Sequence, residues 1–330
     1  MTSLRRDVVG VGNAIVDIIG RCDDAFLAKH GATKGHMRLV DTPTLMALYT
    51  GMGPGVEISG GSAANTIAGI ASFGGSAAFV GKIGDDEFGR IFAHDIRAQG
   101  VAFSATPVAG AQTSRSLILV TPDGERTMNT FLGVSTTFTA ADLDPALIAA
   151  AGIVYLEGYL FDGAGATDAF RTAAQLAHAS GGEVALSLSD SFCVERHRAE
   201  LLEFIRGGVD ILFGNESEIT SLYETANFDA AVCAIGDDVR LAALTRGANG
   251  SVILSEGATT AVPAFPVAKV VDTTGAGDLY AGGFLFGYSR GAALETCGKL
   301  AGLAAAEVIS HLGARPETSL AVLAGQAGLI

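Results

Sequence analysis

The chain reads as an α/β protein: a doubly wound central sheet flanked by helices, with a smaller β-sheet set apart from it. Three observations predict this. From residue 140 onward, apolar runs of strand length alternate with runs of helical period, the rhythm of a parallel sheet covered on both faces. Residues 101–131 break that rhythm with three short strand candidates and a turn at Pro122-Asp123-Gly124-Glu125. The 330 residues, 49% of them apolar, are enough for a substantial core.

In chain order, residues 8–11 form an apolar strand that Gly12-Asn13 interrupts before it resumes at 15–19. Residues 23–30 are predicted helical and 37–40 a short strand. Gly60-Gly61 makes a turn, and Ser62 is expected to cap a tightly packed helix running to about Phe73, with Asn65 in its first turn. A strand at 77–80 leads through the turn at 84–89 into a helix ending near Gly100. The strand candidates at 101–107, 113–121 and 126–131 then form the small sheet, a shape suited to covering a ligand. Beyond it come a helix at 143–151, a strand at 153–157, a helix at 166–180, a strand at 184–188, a helix at 198–207 and a strand at 211–213. Further strands are expected at 241–245, 251–254 and 261–263, and helices after Gly277 and over 292–310. In an open α/β sheet, ligands gather at the carboxyl ends of the strands, where Asn13, Asn215, Thr245 and Asp272 emerge.

Composition excludes several function classes. With 35 acidic against 21 basic residues and a net charge of -14, no Lys/Arg cluster resembles a nucleic-acid footprint, so no nucleic-acid partner is expected. No run reaches roughly 18 apolar residues, so no membrane partner is expected either. Cys22, Cys193, Cys233 and Cys297 form no paired spacing, which points to a reducing, cytoplasmic setting. There is no GxxxxGK[ST] loop. Gly10-Val11-Gly12-Asn13-Ala14-Ile15 has Ile15 where a dinucleotide fingerprint needs its third glycine.

The chemistry concentrates in Asp272-Thr273-Thr274-Gly275-Ala276-Gly277-Asp278, followed by an apolar helical run. Small residues at a helix N-terminus let backbone N–H groups converge on a phosphate. Asp278 beside them can deprotonate an attacking hydroxyl, the arrangement of phosphoryl transfer; the plain alternative is a capped glycine-rich loop. Thr245-Arg246-Gly247-Ala248-Asn249-Gly250 can approach ATP phosphates closely through Thr245, Gly247 and Gly250, or can be a simple tight turn. Asn215 and Glu218 share one face of a nascent helix, where Glu218 can bind hydrated Mg²⁺, although an ordinary acidic helix start reads the same way. Asn13, Asp17 and Asn65 are candidate acceptor-facing groups, and Arg126, ahead of Arg115, is the cation on the small sheet placed to reach a phosphate.

Taken together, Gly60-Gly61 with Asn65, Ala68 and Gly74, and far downstream the stretch from Asp272 through Asp278, resemble the two signatures of the ribokinase-like, PfkB-type carbohydrate and nucleoside kinases. The resemblance covers the whole chain, 1–330. It implies a ribokinase-like fold with residues 101–131 as the main part of a small β lid and further lid strands within 18–45. It implies ATP as phosphoryl donor, Mg²⁺, and a potassium ion near Asp272 and Thr274. Asp278 matches the family's base, Gly275, Ala276 and Gly277 its anion hole, and Asn215 with Glu218 its Asn-x-x-Glu motif. Asn13, Asp17, Gly61 and Asn65 match positions that hold the acceptor. The opening at 12–18 and the run at 113–126 look like the adenosine-kinase branch, so the expected reaction is transfer to the 5′-hydroxymethyl of adenosine or a related nucleoside. Ribose, fructose or 2-keto-3-deoxygluconate is the alternative acceptor, and a nucleotide- or sugar-binding regulatory protein the non-enzymatic one. The oligomeric state is open between monomer and homodimer.

Overall fold

The computed structural model describes residues 5–330. The opening apolar run is β1 (Arg6–Val11), and β2 (Ile15–Arg21) follows after a break at Gly12–Ala14. Next come α1 (Asp24–Lys29), β3 (Met37–Leu39), α2 (Thr42–Gly51) and β4 (Gly55–Gly60). The chain continues through α3 (Ser62–Ser72), β5 (Ala77–Val80), α4 (Glu87–Ala98) and β6 (Ala102–Phe103). The hairpin is β7 (Ser114–Val120) and β8 (Arg126–Phe131).

The regular βα alternation then appears as α5 (Pro145–Ala149), β9 (Ala151–Glu157), α6 (Ala166–Ala179), β10 (Glu183–Ser187), α7 (Ser191–Gly208) and β11 (Ile211–Asn215). It closes with α8 (Glu216–Leu222), α9 (Phe228–Asp238), β12 (Leu241–Thr245), the β13 (Ser251–Ser255) and β14 (Ala258–Val262) hairpin, and three helices, α10 (Ala276–Tyr288), α11 (Leu294–Val308) and α12 (Leu320–Gln326).

These strands make two sheets. The nine-stranded sheet has the order β14-β13-β12-β11-β10-β9-β1-β5-β6 and is parallel from β12 to β6. Its central strands are buried on both faces, so they read as continuous apolar runs. One face packs against α6, α7, α8 and α9, the other against α3, α4, α10 and α11. The five-stranded sheet has the order β3-β8-β7-β2-β4. Ile18, Leu117 and Leu119 on its outer face pack with Leu27 of α1 and Leu45 and Leu48 of α2, giving the small sheet its own core.

The strand expected at 101–107 does not join the small sheet. Only Ala102 and Phe103 are extended, and they pair with Ala78 and Phe79 at the edge of the large sheet. Val101 and Phe103 are buried there beside Phe79 and Phe92, so aromatic packing holds this segment to the core. The small sheet instead recruits β2 and β4 from the N-terminal segment. Among the described residues, no helix is long and apolar enough to cross a membrane.

Candidate active site

The site is built around the N-terminus of α10. Gly275 is the N-cap residue at φ +80°, and a Cβ there would meet Ala314 at 2.7 Å, so conformation and space both require glycine. The turn leaves backbone donors free. Among the described residues, the N–H groups of Gly275, Gly277 and Asp278 have no partner within the chain, whereas Ala276 N–H donates to the Thr273 carbonyl at 3.2 Å. Ala276, expected in the anion hole, thus spends its N–H within the turn, while the Asp278 amide is left free. The helix dipole adds positive potential at the same point.

Next to this turn lies a cavity of about 540 Å³ lined by Thr245, Gly247, Gly250, Gly277, Tyr280 and Phe265, among others. Its walls are largely apolar and glycine-rich. The two glycine-containing loops expected to hold nucleotide thus meet in one place.

On the other side of α10, α3 brings Ser62 and Asn65, the latter expected to face the acceptor, to Asp278. The helices approach closely because a Cβ at Gly282 would lie 2.8 Å from the Thr66 carbonyl; only hydrogen fits. This contact puts Ser62 Oγ 2.7 Å from Asp278 Oδ1 and Asn65 Nδ2 3.0 Å from Asp278 Oδ2, both donating to the carboxylate. Burial raises the Asp278 carboxyl above the ordinary aspartate range, while these two donors pull it down.

Ser62 is thus not the cap of α3. The N-cap is Gly61, which has no side chain to offer, and Glu157 at the end of β9 does the capping by accepting from Ala63 N–H at 2.8 Å. Glu157 also accepts from Asn13 Nδ2 at 2.6 Å and is fully buried, which pushes its carboxyl up to about 7. Asn13, expected to face the acceptor, is only 2% exposed and donates its Nδ2 to Glu157. Asp17 on β2 sits over Gly60, and burial raises its carboxyl to about 7 against the opposing pull of Arg315 and Arg126.

Asp272, Thr274 and Arg126 form one cluster. Asp272 Oδ1 accepts from Thr274 N–H and Oδ2 from Gly313 N–H, both at 3.0 Å. Arg126 Nη1 donates to Thr274 Oγ1 at 3.1 Å, and Nη2 lies 2.8 Å from Asp272 Oδ2, off the hydrogen-bond direction. Asp272 and Thr274 therefore hold an arginine of the small sheet in this structure, where the resemblance implies potassium. That donor set does not present Asp272 as an open ligand for a monovalent cation.

Asn215 and Glu218 form a capping box at the start of α8. Glu218 accepts from Asn215 N–H at 2.9 Å and Nδ2 at 2.6 Å, and Asn215 Oδ1 accepts from Glu218 N–H at 2.9 Å. Burial raises the Glu218 carboxyl to about 7, with Asp190 and Asp278 adding negative potential. A divalent cation would relieve that potential. Among the described residues no cluster of three or more His, Cys, Asp or Glu side chains could hold a metal ion, so Mg²⁺ here would depend on water and phosphate oxygens as well as on Glu218.

The structure thus joins Asn65 with Asp278, Arg126 with Asp272 and Thr274, and Thr245, Gly247 and Gly250 with Gly277. Asn215 and Glu218 stand apart as a cap. Sequence reasoning took Ser62 for a cap and missed Arg315, while Glu157 carried a local signal as the polar residue closing an otherwise apolar strand.

A family model described as pfkB family carbohydrate kinase matches residues 54–320. Among solved structures, the chain is similar to a probable sugar kinase from Rhizobium etli CFN 42, with 50% identity, TM-score 0.95, and coverage of 99% of this chain and 100% of that one. It is also similar to adenosine kinase from Sinorhizobium meliloti, with 53% identity, TM-score 0.94, and coverage of 98% and 99%. Fructokinase-1 of Oryza sativa subsp. japonica is 30% identical over 260 residues, 76% of this chain and 80% of the fructokinase.

Proposed function

The chain belongs to the pfkB family of carbohydrate kinases and is an ATP-dependent phosphotransferase acting on a small nucleoside or sugar; within that class we propose that it phosphorylates the 5′-hydroxymethyl of adenosine or a related nucleoside. The observation that carries this reading is the inner face of the lid. Strand register aligns Asp17, Ser116 and Thr130 in one polar row, and Ile19, Ile118 and Met128 in the next, with Val56 beside Ile19 on β4. Side chains alternate along a strand, so both rows face the cleft that Arg126 also reaches. A ribose can bond the polar row while its base covers the apolar one. A free sugar would leave the uncovered parts of that row, Ile19, Met128 and Val56, against water, at a cost of roughly 25 cal/mol per Å² left uncovered.

In this reading Asp278, aligned by Ser62 and Asn65, takes the proton from the hydroxymethyl oxygen as that oxygen attacks the γ-phosphorus and the bond to the ADP oxygen breaks. The free amides of Gly275, Gly277 and Asp278 offset the charge on the moving phosphoryl group, and Arg126 brings a lid-borne cation to the same end of α10. Glu218 would help hold Mg²⁺, which would supply further charge neutralisation when bound. The lid's outer face is covered by its own helices, which supports a monomer; size-exclusion chromatography should then give a mass near 33.5 kDa and not twice that.

The sugar-kinase reading is favoured by the fructokinase likeness over three-quarters of the chain and by the probable sugar kinase over 99% of it, and the adenosine-kinase reading by a likeness over 98%. Acceptor-dependent ADP formation separates them. With ATP and Mg²⁺, adenosine should stimulate turnover and yield 5′-AMP, while ribose, fructose and 2-keto-3-deoxygluconate should give little. Preference for a free sugar over every nucleoside tried would overturn the assignment.

A further inference from the structure

Arg315, between α11 and α12, is 7% exposed and belongs to none of the groups that touch the reacting atoms. Its Nε donates to Asn65 Oδ1 and its Nη2 to the Gly60 carbonyl, both at 3.3 Å, and its Cζ lies 5.8 Å from the centroid of the Phe92 ring. Nη1 is buried with no partner among the described residues. Asp95 and Asp17 act on it only through space, and Asp95 is itself bonded to Ser59. A buried cation without a bonded counterion is an expensive way to stabilise a fold.

What this placement does is fix an amide. Asn65 could face Asp278 with either end, and only the Nδ2 end donates; turned over, its oxygen would oppose a carboxylate oxygen. With a guanidinium on its far side, Oδ1 is held away from Asp278 and Nδ2 is held toward it. The bond from Nη2 to the Gly60 carbonyl, one residue before the Gly61 N-cap, anchors the turn from which α3 starts. Arg126 reaches the site from the lid and leaves it if the lid moves, whereas Arg315 is fixed in the core behind the turn.

We propose that Arg315 is a positioning residue for phosphoryl transfer: it sets the orientation of Asn65, and through Asn65 the alignment of the Asp278 carboxylate. The inference rests on the phosphotransferase assignment and not on the identity of the acceptor, so it is tested with whichever acceptor supports turnover by the wild-type enzyme.

The test is a double-mutant cycle on the full chain, using Arg315→Lys and Asn65→Ala, with kcat, both KM values and Tm measured for each protein. Lysine keeps the charge but cannot donate to both partners in the same fork. Arg315→Lys should lower kcat about tenfold with nucleotide KM changed less than about twofold, and should have little further effect in the Asn65→Ala background. Unchanged kcat in folded Arg315→Lys, or losses that multiply in the double variant, would overturn the proposal. A charge-free Arg315→Met variant, if it folds, should lose at least as much kcat as the lysine variant; full activity there would overturn it equally.

Discussion

The two sides of the α10 N-terminus are made of different material. On the acceptor side, side chains from distant parts of the chain bond one another: Ser62 and Asn65 meet Asp278 across 216 and 213 residues, and Asn13 meets Glu157 across 144. On the nucleotide side, the wall is glycine, backbone and apolar surface from the β12–β13 turn, the segment around Phe265, and α10 with α11. The acceptor side aligns a reacting group, which demands directional bonds. The nucleotide side accommodates a shape, which demands space and contact area. Single substitutions should therefore act mainly on kcat, on acceptor KM or on the fold on the first side, and mainly on nucleotide affinity on the second.

The largest effect should come from Asp278→Asn, which removes the base at nearly constant volume: kcat should fall about a thousandfold with Tm little changed. Near-normal turnover by the folded variant would remove Asp278 from its role. The same carboxylate sets the pH dependence. Its carboxyl is raised by burial and must be ionised to accept a proton, so turnover should be lost as pH falls through that raised value. The acid limb of kcat should thus lie above about pH 4, the ordinary aspartate value.

Arg126→Ala should come next, lowering kcat about a hundredfold by removing a cation from the transferring phosphoryl group and untying the lid from Thr274. A loss confined to Tm would make Arg126 a tether only. Glu157→Ala strikes the acceptor side through the fold: Ala63 N–H and Asn13 Nδ2 lose their acceptor in a buried place, which should cost about 3 kcal/mol in chemical denaturation.

Ile19→Ser on the apolar row of the lid should raise KM for adenosine about tenfold and leave KM for ATP unchanged. An equal rise for both substrates would blur the division between the two sides. The smallest effect should be Gly247→Ala on the nucleotide side, where φ is +55°: about 1 kcal/mol of strain, read as weaker nucleotide binding with kcat retained.

How much of this could be read from the sequence follows the range of the forces involved. The turn from Asp272 to Asp278 was legible because a glycine-capped helix start is a local object, made by consecutive small residues. The βα alternation was legible for the same reason, since periodicity is written within each element. Residues 101–107 were assigned to the wrong sheet because strand pairing depends on partners elsewhere, here Ala78 and Phe79. Ser62 reads locally as a cap because serine before an apolar helix usually is one. It becomes a donor to Asp278 only because Glu157 takes over the capping and α3 packs closely on α10.

By itself the sequence determined the family, the α/β architecture with a second small sheet, and the glycine turn that starts the helix carrying Asp278, all of which are encoded in contiguous residues or their periodicity. Only the tertiary structure decided that Asn13 braces Glu157, that Arg126 meets Asp272 and Thr274, and that Arg315 faces Asn65 across 250 residues. Those pairings arise from how closely helices and sheets pack, and no local pattern in a chain specifies which polar side chain a distant element will bring beside it.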